Sequence, residues 1–584
     1  MLNKSPLPVL IHDQARRYGN RVAMRYRDDS SQEWRDISWN TFSQRVYQTS
    51  NAMLALGVGE QENMAVFSQN MPEGMFVDFG AYGIRAVTIP FYATSSEMQV
   101  KYMVSDASIR IMFVGEQYQY DTAFRVLKMG SKLEKLIIFD RNVIKNPEDQ
   151  VSIYFDEFLD LGCGLPNQME VQRRTAAVVP DDLANILYTS AIKAHEGVLP
   201  LTDTDVILNF LPFTHVFERG WAYLCIANGC TLAINQHPED VLQSMREVHP
   251  TCMCAVPRFW EKVYAGVQER IEKSSPMQRR LLQDALEVGF LCNVKYRMKG
   301  LLPPVPLRVK YAFYEKTVIA LLKKELGLER AHFFPTAGAA IPEKVEEFVH
   351  SAGIVMIAGY GLTESTATVS CDRWNRTITL GSVGRVLDSV EVKFGENNEV
   401  LLRGDTITKG YYRKAEVTEL SIDKDGWFHT GDAGYMKDGE LFLTDRIKDM
   451  FKTSNGKYIA PQLIESKLCV DKFIDQIVVI AEGRKFVSAL IIPQYDMLRE
   501  IAAEKGLECR TNAELCAHPE IVRFMKYRID TMQQEFAHYE QVKKITLLPE
   551  PLSLEKGELT NTLKVRRQVL NEHYRDLIDR MYEE

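Results

Sequence analysis

The stretch from Tyr360 to Glu364 places a threonine hydroxyl and a glutamate carboxylate directly after an apolar run. That run, Ile354 to Ala358, is typical of a buried strand that ends in a polar loop. The hydroxyl of Thr363 can donate to a phosphate oxygen, and the carboxylate of Glu364 is a hard oxygen ligand for magnesium. Alone, these residues are also consistent with an ordinary strand-to-helix turn in which Thr363 caps the helix.

Three downstream segments add polar groups in a fixed order. Thr430-Gly431-Asp432 precedes a hairpin signal at Asp438-Gly439, and an aspartate at such a strand end can accept both hydroxyls of a ribose. A charge cluster, Asp445 to Asp449, then leads into Thr453 to Lys457, and a basic segment, Leu559 to Arg567, follows near the C-terminus. Taken singly, the three segments can be a turn, a solvated connection and a basic surface tail.

Composition restricts the class of protein. With 584 residues, 46% hydrophobic and 25% charged, the chain is typical of a soluble globular protein with several domains. Its net charge of −8 argues against a nucleic-acid partner. The proline-broken start, Met1 to Pro8, does not resemble a secretion signal, and no apolar run approaches the length of a membrane span. Ten scattered cysteines lack metal-site or disulfide spacing, so we expect reduced thiols in a cytoplasmic protein.

The order of apolar patterns predicts a layered α/β fold. Up to about Asp445, strand-like runs alternate with amphipathic helices. The span Thr317 to Leu326 predicts one such helix, with Val318, Leu321 and Leu322 on its buried face and Gly327 as its left-handed stop. Between 390 and 412 the pattern changes to short strands, which indicates a small β-barrel-like subdomain. A second compact unit with strands and helices begins after residue 448.

Together and in this order, the four polar segments resemble the adenylate-forming (ANL) superfamily of AMP-binding enzymes, over about residues 9–567. Within it, the chain is most similar to the long-chain fatty acyl-CoA synthetases. Further segments that carry this resemblance are Asn70 to Glu73, Val87 to Ser95, Leu211 to Arg219 and Val256 to Glu261. The resemblance implies a large N-terminal AMP- and acyl-binding domain, residues 1–447, and a small mobile α+β C-terminal domain, residues 448–584.

The resemblance also implies a two-step reaction. A fatty carboxylate attacks ATP to give acyl-AMP and pyrophosphate, and CoA then displaces AMP to give acyl-CoA. Lys564 would bridge the carboxylate and the α-phosphate, Glu364 would hold Mg²⁺, and Thr363 would bond a phosphate oxygen. His215 would lie near the acyl carboxylate. The residues implied to bind the nucleotide are Thr189, Ser190, Gly338, Ala339, Tyr360, Gly361, Thr363, Asp432 and Arg446.

The second step requires the lysine to make way for CoA, which the family achieves by rotating the C-terminal domain. Lys448 matches the hinge of that rotation. The residues implied to line the CoA tunnel are Asn455, Gly456 and Lys457. The candidates for the acyl-pocket wall are Phe213, Phe217, Phe333 and Phe334, although a phenylalanine in such a position more often belongs to the core.

The sequence departs from the family after the predicted strand Asn185 to Ser190. The family has a Gly/Ser/Thr-rich phosphate loop here, whereas Ala191 to Gly197 follows directly in this chain. The stretch from Ser190 to Leu211 is shorter than the family's by roughly two dozen residues, more than a whole Gly-x-x-x-x-Gly-Lys loop. Either a segment of the natural protein is missing from this sequence, or the protein lacks the loop and is catalytically impaired. We expect the first, because the other motifs are intact.

Two alternatives to a fatty acid–CoA ligase follow. One is a CoA ligase for an aromatic or branched acid, which would differ in its acyl pocket. The other is a non-catalytic acyl- or nucleotide-binding protein, which only the missing loop supports. Peripheral membrane contact of the cytoplasmic protein is left open.

Overall fold

The computed structural model of the chain describes residues 2–3, 5–28, 31–163, 167–179, 181–183, 195, 197–366, 368–374, 377–447, 450–453, 458–553, 556–559 and 565–583. The strands are β1 (Val22–Arg27), β2 (Trp34–Ser38), β3 (Asn63–Phe67), β4 (Val87–Phe91), β5 (Ile111–Val114), β6 (Lys135–Ile138), β7 (Ile153–Tyr154), β8 (Val206–Asn209), β9 (Thr231–Ile234), β10 (Phe334–Thr336), β11 (Met356–Tyr360), β12 (Ser370–Cys371), β13 (Arg385–Val386), β14 (Val390–Phe394), β15 (Glu399–Gly404), β16 (Phe428–Lys437), β17 (Glu440–Arg446), β18 (Phe451–Lys452), β19 (Tyr458–Ile459), β20 (Ile474–Ile480), β21 (Val487–Pro493) and β22 (Val542–Leu547).

The described α-helices connect and cover these strands. They are α1 (Leu7–Tyr18), α2 (Trp39–Ala55), α3 (Pro72–Gly83), α4 (Glu97–Asp106), α5 (Gln117–Lys128), α6 (Phe155–Leu161), α7 (Gln168–Ala176), α8 (Val216–Asn228), α9 (Val241–Val248), α10 (Pro257–Lys273), α11 (Pro276–Gly289), α12 (Val305–Lys316), α13 (Val318–Glu325), α14 (Glu343–Ser351), α15 (Ala415–Ser421), α16 (Pro461–Leu468), α17 (Tyr495–Glu504), α18 (Asn512–Ala517), α19 (Pro519–Met532), α20 (Arg567–His573) and α21 (Arg575–Arg580).

A parallel sheet of five strands, in the order β4-β3-β5-β6-β7, forms the first layer. Side chains alternate between the two faces of a strand, so a sheet covered on both sides needs apolar residues at consecutive positions. Strand β5 shows this pattern, because Phe113 packs into one buried cluster while Met112 and Val114 pack into another. The continuous apolar run 111–114 therefore reflects burial on both faces.

The second layer brings two polar segments of the sequence together. Strands β2-β1-β9-β8 form one sheet and β10-β11-β12-β13 another, and bridges from Cys252 to Ile207 and Phe333 join them edge to edge. Strands β10 and β11 run parallel, with Thr336 opposite Ala358. Because parallel strands end at the same edge, the polar residues after Thr336 and after Tyr360 leave this sheet side by side.

Two smaller units follow. Strands β14-β15-β16-β17 form an antiparallel sheet, and its last hairpin turns at Asp438-Gly439, where both residues have positive φ (53° and 79°), as the Asp-Gly signal predicts. Strands β20-β21-β22 form a separate sheet with its own apolar cluster. Ion pairs from Arg258 to Asp475 and from Lys472 to Glu272 connect this last unit to helix α10. The predicted α/β fold class is confirmed.

Helix α13 corrects one sequence prediction. The helix forms where it is predicted, and Gly327 after it has the expected left-handed conformation, with φ 72°. The predicted buried face is wrong at Leu321, which is 64% exposed. Ile319 is buried instead, in an apolar cluster with Tyr311 and Tyr314 of α12, so the buried face of α13 lies away from Leu321.

The ten cysteines form no disulfide, and most are buried. Within the described ranges, no helix combines the length and the apolarity that crossing a membrane requires.

Candidate active site

A groove opens where strands β10 and β11 end. Its walls combine aromatic and small residues, so it suits a flat or apolar group. Its lining includes Phe217, Trp221 and Leu224 of α8, Thr336 and Ala337 at the end of β10, and Ile357, Gly359 and Tyr360 of β11.

Tyr360 connects the groove to the sheet β14–β17. Its hydroxyl donates to Oδ2 of Asp432 over 2.6 Å, and Nε of Arg446 lies 3.1 Å from Oδ1 of the same carboxylate. Asp432 and Arg446 stand opposite each other in the β16–β17 register, so the hairpin fixes their pairing. Burial raises the pKa of the Tyr360 phenol well above its usual value, and Asp432 raises it further, so this hydroxyl stays protonated as a donor.

The Asp432 carboxylate keeps capacity for a ligand. A carboxylate offers about four acceptor positions on two oxygens, and Tyr360 and Arg446 each use one. One position on each oxygen is left, which matches the two neighbouring hydroxyls of a ribose. The role of Asp432 toward a ribose stays a prediction, with which this arrangement is compatible.

Thr363 and Glu364 form a short 3₁₀ turn that follows β11. Oε1 of Glu364 accepts a hydrogen bond from the hydroxyl of Tyr411 over 2.8 Å, and the backbone carbonyl of Glu364 accepts one from the amide of Thr408. Burial raises the pKa of Tyr411 to about 12, and its bond to Glu364 contributes to the shift. With Tyr411 on one oxygen, Glu364 can offer Oε2 to a cation, and Thr363 is exposed beside it.

Two segments that carry the resemblance hold each other in place. Nδ2 of Asn70 donates to the carbonyl of Leu211, and Oδ1 of Asn70 accepts from the amide of Phe213. The guanidinium of Arg219 is almost fully buried, donates to Asp78 over 2.6 Å and binds the carbonyl of Phe213. These contacts fix the entry to α8, and therefore the position of the groove wall that α8 supplies.

Sequence reasoning missed the roles of Asn70, Asp78, Arg219 and Tyr411. One available signal was the presence of Asp78 within the apolar run Met75 to Tyr82 of α3, where a buried charge requires a partner. No spacing rule shows which partner that is, because Asp78 and Arg219 are far apart along the chain.

His215 is the N-cap of α8, and its Nδ1 accepts a hydrogen bond from the amide of Phe217. Phe217 lines the groove, as predicted for the acyl pocket, whereas His215 is not among the residues that line it. Phe213, Phe333 and Phe334 are buried in the apolar clusters and are also absent from the lining.

A buried acidic residue follows on the same helix. Glu218 is fully buried and accepts hydrogen bonds from Nδ2 of Asn209 (2.5 Å) and Sγ of Cys254 (2.8 Å). Burial raises the pKa of its carboxyl to about 8, so the group is mostly protonated at neutral pH. Glu218 therefore adds no negative charge beside the groove at pH 7.

A buried tryptophan binds the last residue of β10 and so fixes the start of the loop that follows. Nε1 of Trp260 donates to Oγ1 of Thr336 over 3.1 Å, which connects another segment of the resemblance to the groove. Gly338 has φ 100° and Ala339 is exposed, so this loop turns outward beside Tyr360. Gly361 continues the chain from Tyr360 toward Thr363.

Several predicted site residues lie outside the described residues: Thr189, Ser190, Lys448, Asn455, Gly456, Lys457 and Lys564. Their roles, and the two interpretations of the Ser190–Ala191 junction, stay predictions. Leu559 and Val565, on either side of the undescribed segment 560–564, form an antiparallel bridge. Arg567 binds Glu465 through two nitrogens and so connects α20 to α16.

The AMP-binding enzyme family matches this chain in two segments, residues 11–194 and 191–412, and the AMP-binding enzyme C-terminal domain matches residues 448–584. The chain belongs to the AMP-binding enzyme family. Its two N-terminal matches meet at residues 191–194, next to the departure after Ser190. The resemblance to the adenylate-forming superfamily is thereby confirmed.

Curated relatives of this AMP-binding enzyme cover most of its length. The long-chain-fatty-acid–CoA ligase FadD15 of Mycobacterium bovis is 25% identical over 571 residues, which are 94% of this chain and 92% of the relative. The peroxisomal long chain acyl-CoA synthetase 7 of Arabidopsis thaliana is 26% identical over 94% of this chain and 82% of its own.

Solved structures share the fold of this AMP-binding enzyme. The A domain of carboxylic acid reductase from Segniliparus rugosus, in complex with AMP and a co-purified carboxylic acid, has a TM-score of 0.75 and 17% identity, over 99% of this chain and 94% of its own. The anthranilate CoA ligase AuaEII, in complex with anthranoyl-AMP, has a TM-score of 0.69 and 16% identity over 98% of both chains. At this identity the likeness concerns the fold alone.

Proposed function

We propose that the protein activates a long-chain fatty acid with ATP and transfers the acyl group to CoA. The observation that carries this proposal is the position of Tyr360. Tyr360 lines the apolar groove, and its hydroxyl binds Asp432, whose remaining acceptor positions suit a ribose. A site for an apolar acid and a site for a nucleotide therefore share one residue. The named long-chain relatives, which span nearly the whole chain, support the same substrate class.

In the first step, an oxygen of the fatty carboxylate attacks the α-phosphorus of ATP, the bond to the bridging oxygen breaks, and pyrophosphate leaves with that electron pair. The protein has little covalent chemistry to do and must align two anions and offset their charge. Lys564 would bridge the carboxylate and the α-phosphate, and Thr363 would donate to a phosphate oxygen. Glu364 would hold magnesium, which neutralises phosphate charge when it is bound.

In the second step, the thiolate of CoA attacks the acyl carbonyl, and the bond to the phosphate oxygen breaks so that AMP leaves. Rotation of residues 448–584 about Lys448 would remove Lys564 and bring Asn455, Gly456 and Lys457 to the site as the wall of a CoA tunnel. Residues 1–447 would stay in place and keep the groove. The ion pairs of Asp475 and Lys472 with α10 would break in this rotation.

The substrate class also suggests where the enzyme works. Long-chain fatty acids partition into bilayers, so an enzyme that uses them gains access by peripheral contact with a membrane. We place the protein in the cytoplasm with such contact.

Rapid mixing with ATP, magnesium and a fatty acid tests the function. We expect a burst of pyrophosphate, followed by acyl-CoA when CoA is added. A panel of chain lengths with benzoate and a branched acid as comparisons should favour long chains. A preference for benzoate would indicate the aromatic-acid ligase, and nucleotide binding without pyrophosphate release would indicate the non-catalytic binder.

A further inference from the structure

Helix α12 presents an apolar stripe to solvent. Val305, Val309 and Phe313 are spaced four residues apart, so they lie along one face of the helix. They are 66%, 66% and 62% exposed. The opposite face of the same helix packs inward through Tyr311 and Tyr314, which are buried in an apolar cluster with α11 and α13. The stripe is therefore apolar on a face that the fold of this chain does not use.

The loop before the helix extends the stripe. Leu301 and Leu302 are both exposed and directly precede Pro303, Pro304 and the first turn of α12. We call Leu301, Leu302, Val305, Val309 and Phe313 the α12 surface. Monomeric proteins expose single apolar residues everywhere, but five large exposed ones within 13 positions are a concentration of the kind that marks an interaction site.

Basic residues surround the α12 surface. Residues 295–316 contain six lysines or arginines and one acidic residue, Glu315, although the whole chain has a net charge of −8. Lys299, Arg308 and Lys316 are exposed and form no ion pair with any carboxylate of the described part of the chain. Lys310 lies 3.8 Å from Asp284. An apolar stripe with cations on both sides has the charge and polarity pattern that complements an anionic lipid surface.

The segment that precedes the α12 surface packs against the start of strand β11. Val294 and Met298, just before the loop, are buried against Val355, the residue that precedes β11. Ile357, two positions further along that strand, lines the groove. The distance along an extended chain between Val355 and Ile357 is about 7 Å. The segment that leads into the α12 surface is therefore joined, through Val355, to a strand that lines the groove.

We propose that the α12 surface docks this protein on an anionic lipid bilayer. The apolar stripe enters the boundary between headgroups and acyl chains, while Lys299, Arg308 and Lys316 bind lipid phosphates. The inference gives the membrane contact of the proposed fatty acid ligase a defined location, and in that respect it rests on the proposed function. Long basic side chains suit this position, because their stems cover apolar surface while their charges stay in the headgroup layer.

Flotation with lipid vesicles tests the apolar part. The full chain is mixed with two kinds of vesicle, one of phosphatidylcholine alone and one that also contains about 30% phosphatidylglycerol. The second kind represents a moderately anionic bilayer. We expect the wild type to float with the anionic vesicles, and the triple variant Val305→Ser, Val309→Ser, Phe313→Ser to bind them at least tenfold more weakly. The matched control is Val417→Ser with Leu420→Ser, two exposed apolar residues of α15, and it should bind as the wild type does.

A second variant tests the charges without altering the apolar stripe. Lys299→Gln, Arg308→Gln and Lys316→Gln together should weaken binding by on the order of a hundredfold at low salt, with a smaller difference at high salt. The charge-matched control replaces Lys424, Lys437 and Lys505, all exposed, by glutamine. Equal losses in both glutamine variants would overturn the assignment of this surface, since they would report net charge alone.

Other results separate this inference from the proposed function. Pyrophosphate release is measured without vesicles, with a fatty acid below its solubility limit, and should be the same in the wild type and both α12 variants. Vesicle binding without any pyrophosphate release would refute the proposed function and leave the surface in place. No binding by the wild type would refute the surface. Light scattering adds one more outcome. If the wild type is a dimer and the serine variant is a monomer, the lipid assignment is refuted and the α12 surface is an interface between copies of the chain.

Discussion

Replacing Asp432 by asparagine removes one charge from the candidate ribose site and changes little else. Arg446 can keep its bond to the amide oxygen, and the amide NH₂ can donate to Tyr360, whose hydroxyl is able to accept instead of donate. The protein should therefore fold normally. Each of the two ribose hydroxyls, in contrast, loses a charged acceptor oxygen.

The size of the effect follows from that exchange. A hydrogen bond to a charged group contributes about 1 to 1.5 kcal/mol more than one to a neutral group, and two ribose hydroxyls are affected, which gives about 2 to 3 kcal/mol. At about 1.4 kcal/mol per factor of ten, ATP should bind roughly 30- to 140-fold more weakly.

Isothermal titration of ATP into the wild type and the variant measures this difference directly, and thermal unfolding checks the fold. The matched control is Asp438→Asn at the tip of the same hairpin, where φ is 53° and asparagine is readily accepted. ATP affinity within twofold of wild type for a well-folded Asp432→Asn protein would refute the assignment of Asp432 to the ribose.

Four further predictions concern the chemistry, the hinge, the chain and pH. Lys564→Ala should abolish adenylation but leave thioester formation from preformed acyl-adenylate largely intact, and equal losses in the two half-reactions would contradict its role. Lys448→Pro should spare pyrophosphate release and impair acyl-CoA formation in single-turnover assays, because proline fixes φ near −65° at the proposed pivot; no loss in either would place the pivot elsewhere. The intact mass of the natural protein should exceed that of this 584-residue sequence, because we expect a loop between Ser190 and Ala191, and an equal mass would show that the loop is absent. Glu218 has a pKa of about 8 when folded and an ordinary value of 4.5, so its contribution to stability is fully present below pH 4.5 and is lost as pH rises to 8. Glu218→Gln should therefore gain about 3 to 4 kcal/mol over the wild type between pH 5 and pH 8 in urea unfolding, and a pH-independent difference would mean that Glu218 is charged in the folded protein.

Local signals predicted the elements that depend on neighbouring residues. The Asp438-Gly439 turn forms as expected because only residues that tolerate positive φ can join β16 to β17 so tightly. The strand before Tyr360 is also present, although it begins at Met356, two residues later than the apolar run suggests. In both cases the physical cause lies within a few positions of the chain.

Contacts between distant residues were not predictable in this way. Asn70 holds Leu211 and Phe213, and Asp78 pairs with Arg219, across about 140 positions. The individual residues are visible in the sequence as polar groups in apolar surroundings, but their pairing depends on how α3 and α8 pack. For the same reason, the sequence could not show which of the four candidate phenylalanines reaches the groove, and the expectation that most belong to the core agrees with the burial of Phe213, Phe333 and Phe334.

The two ion pairs between α10 and the C-terminal unit form only a weak contact between the two parts of the molecule. Arg258 and Asp475 are about one third exposed, and Glu272, the partner of Lys472, is about half exposed. Pairs in such positions contribute at most about 1 kcal/mol each, and dissolved salt weakens them. Both together therefore contribute at most about 2 kcal/mol to the arrangement of the two units, or roughly a 30-fold bias, which the binding energy of a single substrate can outweigh. An enzyme whose two steps need different domain arrangements would turn over faster with such a weak contact. A stronger contact would keep the two units in the arrangement of the first step and slow the second.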